Sequence, residues 1–289
     1  MTNSPPSTRL TVGSLEFNVI DTGAGARGST VLLLHGFPDR ALMWRHQIAA
    51  LRDAGHRVIA PDLRGFGDSD RPSDVESYAA GALLGDVVGI IDALGVGTVR
   101  IGAHDWGAML GWVLAAAMPD RVERLAAVSV GHPRAFAGAG FPQKQLSWYM
   151  LWWQFREAEA AMAADDWKWV RDWAYDGAER DSTAGMTRQL LDLERPGALE
   201  SGLNWYRANI HAETYAAADN PAFAALPNVQ CPTLGIWGDR DMALTERQMT
   251  DSRAFVDGPW RYERFEGIGH WIPEDAPDRL SSLLTEFFA

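Results

Sequence analysis

Short apolar runs alternate along this chain with helix-period stretches, and that alternation restricts the fold more than any other feature. Val31 to Leu34 form a continuous apolar run, the mark of a strand buried on both faces. A helix is predicted over 41–54, ended by Gly55, and a strand over 57–60, ended by Pro61. Leu83, Val87, Ile90, Ile91 and Leu94 recur at helical spacing, with Ser77 placed to cap the helix and Gly95 to end it. A strand over 99–103, a helix marked by Met109, Val113 and Ala117, and a strand over 125–130 continue the pattern. Leu15, Phe17 and Val19 alternate with polar residues, as in a half-exposed antiparallel strand, and the polar stretch 1–9 is expected to be frayed. Strands and helices at this spacing require right-handed crossovers and a mostly parallel sheet. The rhythm stops after His132-Pro133, and from there to Leu226 the composition is helical with no strand run. It returns with strands over 233–237 and 261–265 and a last helix carrying Leu280, Leu283, Leu284, Phe287 and Phe288, opened by Asp275 with Pro277 in its first turn. The expectation is an α/β core of residues 10–133 and 226–289, with an inserted all-helical cap over 134–225.

Composition narrows the partners. The 289 residues carry 26 basic and 38 acidic side chains, a net charge of −12, so phosphate backbones and anionic lipid surfaces are repelled. Neither nucleic acid nor a membrane is an expected partner. The start, MTNSPPSTR, lacks the basic and apolar regions of a signal peptide, and no apolar run approaches the ~18 residues of a membrane span. The reading is a cytoplasmic protein. Cys231 stands alone and is read as an inert buried thiol, and no Cys/His spacing suggests a metal site. No G-x-G-x-x-G follows a strand, so no cofactor is expected. Of thirteen tryptophans, seven fall between Trp148 and Trp205; they are read as core residues, some of them lining an apolar pocket.

Chemistry concentrates at Ala103-His104-Asp105-Trp106-Gly107, between a predicted strand and a predicted helix. This is the layout of a nucleophile elbow with aspartate in the nucleophile's place; small flanking residues are needed because strand and helix pack closely around a sharp turn. Asp105, a later acid and His270 follow one another in the nucleophile–acid–histidine order of the α/β-hydrolase fold. Asp241, in Gly238-Asp239-Arg240-Asp241, is the expected acid, with Asp239 as its competitor. No acid follows the strand expected to end at Val130, the other place for that group. An aspartate is ionised at neutral pH, so it attacks a saturated carbon without a base, and His270 is left free to activate water against the resulting ester. Asp62 is read as a loop brace, and His35, His104 and His132 as structural hydrogen-bonding groups near the pocket.

HGFP at 35–38, DLRGFGDSD at 62–70, HDWGA at 104–108, GDRD at 238–241 and GHW at 269–271 together resemble an α/β-hydrolase with an aspartate nucleophile. SWYM at 147–150 and NWYRA at 204–208 resemble the tyrosine-bearing cap segments of soluble epoxide hydrolases. The resemblance runs from residue 10 to 289, departing at Ala103, where the family usually has glycine. It implies that Tyr149 and Tyr206 donate to the epoxide oxygen and that the backbone N–H groups of Phe37 and Trp106 form an oxyanion hole. The implied reaction is conversion of a small apolar or aromatic epoxide and water to a vicinal diol. Haloalkane dehalogenase chemistry would use the same Asp105, His270 and Asp241. Against it, Phe37 stands where that family often has a halide-binding asparagine, and the two tyrosines would have no task. A haloacid dehalogenase would need arginines at the elbow, which offers Trp106 instead. A non-catalytic ligand receptor on a hydrolase fold is the alternative of another class.

Overall fold

A computed structural model of the chain describes residues 7–25, 28–176, 183–215 and 221–289. Eight strands form one sheet: β1 (Ser7–Val12), β2 (Leu15–Asp21), β3 (Thr30–Leu34), β4 (Arg57–Pro61), β5 (Val99–His104), β6 (Val122–Val128), β7 (Thr233–Gly238) and β8 (Trp260–Phe265). Their order is β1-β2-β4-β3-β5-β6-β7-β8. β1 and β2 pair antiparallel, as do β2 and β4, and every other pairing is parallel.

The pleat sends alternate residues to opposite faces, and each face has its own core. Leu32, Leu34, Ile101, Ala103, Leu125 and Ala127 face one way, packed under α2 (Ala80–Ala93) and α3 (Trp106–Ala117). Val31, Leu33, Val58, Ala60, Ala126 and Val128 face the other, against α1 (Arg45–Asp53) and the C-terminal helix Pro277–Phe287. Each fully buried aliphatic side chain contributes roughly 1.5–3 kcal/mol of transfer free energy.

Between β6 and β7 the described residues form helices and turns, with one isolated bridge at Val229. The main helices are α4 (Pro133–Gly138), α5 (Phe141–Leu146), α6 (Tyr149–Trp152), α7 (Glu157–Ala174), α8 (Ala184–Leu193) and α9 (Ala198–Asn209). Their apolar residues, among them Trp153, Met162, Leu190 and Trp205, join the same core as α2 and α3.

Several boundaries differ from expectation. Residues 7–9 are not frayed: they open β1, whose backbone ladder against β2 outweighs their polar composition, while residues 1–6 lie outside the described residues. Ser77 does not cap α2. It sits in a 3₁₀ turn, giving its N–H and hydroxyl to Asp74, and Ala79 is the N-cap. The helix expected over 41–54 divides into a 3₁₀ turn at Ala41–Trp44 and α1. Asp275 closes the short helix Ile272–Asp275 rather than opening the last one, whose N-cap is Ala276. β6 starts earlier than expected and stops at Val128, because Ser129 turns the chain at φ 69°.

Candidate active site

The elbow forms where β5 runs into α3. Asp105 lies between them at φ 52° and ψ −124°, outside the comfortable region for a side-chain-bearing residue. Two glycines make that turn possible. A Cβ on Gly107 would lie 2.4 Å from the Leu34 carbonyl oxygen, and one on Gly36 would lie 2.2 Å from Asp105 Oδ1. Ala103, the small residue two before Asp105, is fully buried.

Asp105 keeps 13% of its side chain exposed. Its Oδ1 accepts from the Phe37 N–H at 2.8 Å, and the Trp106 N–H also donates to the carboxylate. Oδ2 lies 3.6 Å from His270 Nε2. Burial opposes the charge, but His270, aided by His104 and the Trp106 N–H, outweighs it and holds Asp105 below its ordinary pKa.

His270 follows β8 and is buried. Its Nδ1 is 2.8 Å from Asp241 Oδ2, and Asp241 Oδ1 accepts from the N–H groups of Ala243 and Leu244 at 2.9 and 3.0 Å. Asp239 faces elsewhere: it accepts from the Gly267 N–H at 2.7 Å and lies near Arg264. Burial pushes His270 toward its neutral form, but the Asp241 charge and the contacts with Asp105 outweigh it, lifting the pKa to about 10. Two further groups hold the His270 backbone. His104 Nε2 and Ser129 Oγ each lie 2.9 Å from its carbonyl oxygen. Burial pushes His104 down to about 3, so the neutral ring donates from Nε2. Ser129 has no sequence motif to mark it; its role follows from the positive-φ turn after β6.

The other histidines and Asp62 are structural. His35 Nε2 accepts from the Leu63 N–H at 2.9 Å, and burial lowers its pKa. His132 lies between the rings of Trp112 and Phe255, away from the cavity. Asp62 accepts from the N–H groups of Ala41 and Asp68 and from the Asn18 amide, bracing its loop. Cys231 is buried, and burial raises its thiol pKa.

Tyr149 and Tyr206 descend from α6 and α9 and are 4% and 2% exposed. Their ring centroids are 6.2 Å apart, and both line the cavity that holds Asp105. Burial, reinforced by the Asp105 charge, raises both phenols well above 10, so both keep their protons. The Trp106 indole packs edge-on to Tyr206 at 5.1 Å between ring centroids. One arm of the cavity runs past Phe37, Trp153, Met162, Val170 and Leu193. The other runs past Met109, Val130, Phe136, Met150 and Ile210, and Asp105 and both tyrosines line both arms. Of the tryptophans between residues 148 and 205, Trp153 and Trp173 line the cavity, whereas Trp148 is 44% exposed. Among the described residues no group of three or more His, Cys, Asp or Glu is arranged to hold a metal ion, and no helix is long and apolar enough to cross a membrane.

A mostly parallel sheet with a strained carboxylate at the β5–α3 turn, and with acid and histidine after β7 and β8, defines an α/β-hydrolase. The family model described as alpha/beta hydrolase fold matches residues 29–277, and the chain belongs to that family. Within it the chain is epoxide-hydrolase-like. It is 32% identical to epoxide hydrolase A of Mycobacterium tuberculosis, covering 91% of this chain and 92% of that one. It is 30% identical to mouse epoxide hydrolase 4, over 96% of this chain and 78% of the relative. The crystal structure of Bacillus megaterium epoxide hydrolase in complex with an inhibitor superposes with a TM-score of 0.85 at 27% identity, covering 97% and 99% of the two chains.

Proposed function

We propose that the protein is an epoxide hydrolase that forms an ester on Asp105 and hydrolyses it with water activated by His270. The observation that carries this reading is the meeting of an ionised carboxylate and two protonated phenols in one apolar cavity. Asp105 Oδ1 is tied to the Phe37 N–H, which leaves Oδ2 as the nucleophile. Oδ2 attacks an epoxide carbon, the C–O bond breaks, and Tyr149 or Tyr206 gives its proton to the departing alkoxide. Water then attacks the ester carbonyl while His270 takes a proton from it. The Phe37 and Trp106 N–H groups hold the oxyanion on Oδ1. Collapse breaks the ester C–O bond and His270 gives its proton to the diol alkoxide; the second water proton, left on the new Asp105 carboxyl, passes to His270, which restores the carboxylate–imidazolium pair.

The charge balance fits this order. In the free enzyme the Asp105 carboxylate helps keep His270 protonated. Esterification removes that charge, so the His270 pKa falls when a base is needed. Ring opening consumes one proton, and the proton His270 releases supplies it.

The helices between β6 and β7 act in this reading as a cap over the strand ends, residues 134–225, on a core of 10–133 and 226–289. The apolar lining favours uncharged apolar or aromatic epoxides, since an unpartnered buried charge is costly.

The test offers the protein styrene oxide and 1-bromobutane separately. Diol from the first and no bromide from the second is the expected result. Bromide without diol would replace the reading by haloalkane dehalogenation, and neither product would favour a non-catalytic receptor.

A further inference from the structure

The cavity around Asp105 is separated by a thin wall from a second, larger and more polar space. This is a cleft of about 480 Å³ whose polar lining includes Arg45, Gln189, Arg240, Glu274 and Asp275. Trp173, Tyr175, Met242, His270 and Trp271 line both spaces, so these side chains form the wall. Asp105 lines only the inner space.

Within the wall, Tyr175 and Trp271 stack nearly parallel, 4.7 Å between centroids and 13° between planes. Trp271 in turn meets His270 edge-on at 5.3 Å. A stack of two rings is held by contact alone and slides readily, but this one is fastened. The Tyr175 hydroxyl donates to Gln189 Oε1. Gln189 is 1% exposed and donates from Nε2 to Asp39 Oδ2 at 2.6 Å. Asp39 Oδ1 accepts from Arg188 Nη2 at 3.0 Å, and the same nitrogen reaches Glu274 at 2.6 Å, where Arg45 also binds. Buried charges persist only when paired, so this chain makes a rigid anchor joining α8 to the loop after β3 and to the short helix Ile272–Asp275. The proposed chemical steps use none of its members. Its free end is the Tyr175 hydroxyl.

We propose that Tyr175 is a specificity-determining residue: with Trp271 it closes the passage between the polar cleft and the reaction cavity, and its bond to Gln189 sets how easily bulky aromatic epoxides enter and their diols leave. The proposal rests on the epoxide hydrolase reading for its substrate, but not for its gating, which is tested without turnover.

A door differs from an ordinary lining residue in its kinetics. Opening it speeds entry and exit together, whereas removing a contact speeds exit alone. Stopped-flow binding of an uncharged fluorescent naphthalene derivative to the wild-type protein and to Tyr175→Ala is the first measurement. Both rate constants should rise about tenfold or more in the variant, with Kd moving much less. Tyr175→Phe keeps the ring and loses only the fastening; it should shift both rates the same way by a smaller factor, and it serves if the alanine variant fails to fold. The second measurement is the ratio of kcat/KM for trans-stilbene oxide to that for propylene oxide, which should rise about tenfold in Tyr175→Ala. An unchanged association rate in both variants would overturn the door. Faster binding together with no turnover of any epoxide by the wild type would leave the door standing and remove the proposed function instead.

Discussion

Asp105, His270 and Asp241 stand on the strand ends of the core, whereas Tyr149 and Tyr206 hang from helices above them, and the two groups are held in different ways. The floor is fixed by hydrogen bonds to the backbone and by sterics. Phe37, Trp106, Ala243 and Leu244 aim N–H groups at the two carboxylates, and Gly36 and Gly107 leave no room for a side chain. The roof is fixed by ring packing. Tyr149 touches Trp153 and Trp173 at centroid distances of 4.6 and 4.7 Å, and Tyr206 touches Trp153 and Phe37 at 4.6 and 5.8 Å. Directional constraints keep charged groups in register, while packing leaves a surface whose shape can change with the side chains that fill it. In the proposed mechanism, chemistry therefore belongs to the floor and substrate choice mostly to the roof, with the two phenols as the exception.

That exception gives the largest expected effect. Losing one donor to a developing oxyanion costs ~3 kcal/mol, about a hundredfold in rate. Tyr149→Phe or Tyr206→Phe should slow ester formation by about that factor and the double variant by about 10⁴-fold, read from single-turnover quench experiments. An unchanged rate in the double variant would reduce the roof to packing alone.

A smaller effect sharpens the account of the floor. Asp241→Asn removes the charge that supports the His270 imidazolium, and ester hydrolysis should slow by roughly 10³-fold, while ester formation changes far less. Asp239→Asn touches only its loop, so both steps should stay within about threefold. Equal losses in the two variants would mean that the acid works through local folding rather than through His270.

How far each region is legible in the sequence follows from the same distinction. The elbow can be read because its geometry demands small residues at fixed offsets, and the strands because buried runs have few alternatives. The choice between Asp241 and Asp239 needs coordinates: both lie in one tetrapeptide, and only the turn after β7 decides which faces His270. Ser129 was illegible for a related reason, since its position depends on how the chain leaves β6. The ring contacts of the roof join α6, α7 and α9, which are distant in sequence, so a run rich in tryptophan marks helices and burial but not neighbours. The Tyr175–Gln189–Asp39 anchor crosses from α8 to the loop after β3 and leaves no pattern at all. Local capping rules point to Ser77 and Asp275, whereas the helices start after Ala79 and Ala276.

The most direct test of the floor is His270→Gln, which keeps a polar side chain but removes the base. The Phe37 N–H still supports the Asp105 carboxylate, so an epoxide should still open and the ester should accumulate, because water is no longer activated. Intact-protein mass spectrometry after mixing with styrene oxide should show the protein heavier by one whole epoxide, with peptide mapping placing the adduct on Asp105. In the wild type, ester hydrolysis should accelerate as pH rises through an apparent pKa below the value of about 10 that His270 has in the free enzyme, because the ester no longer carries the Asp105 charge. A folded variant that takes up no epoxide, or that carries the adduct on another residue, would contradict the account.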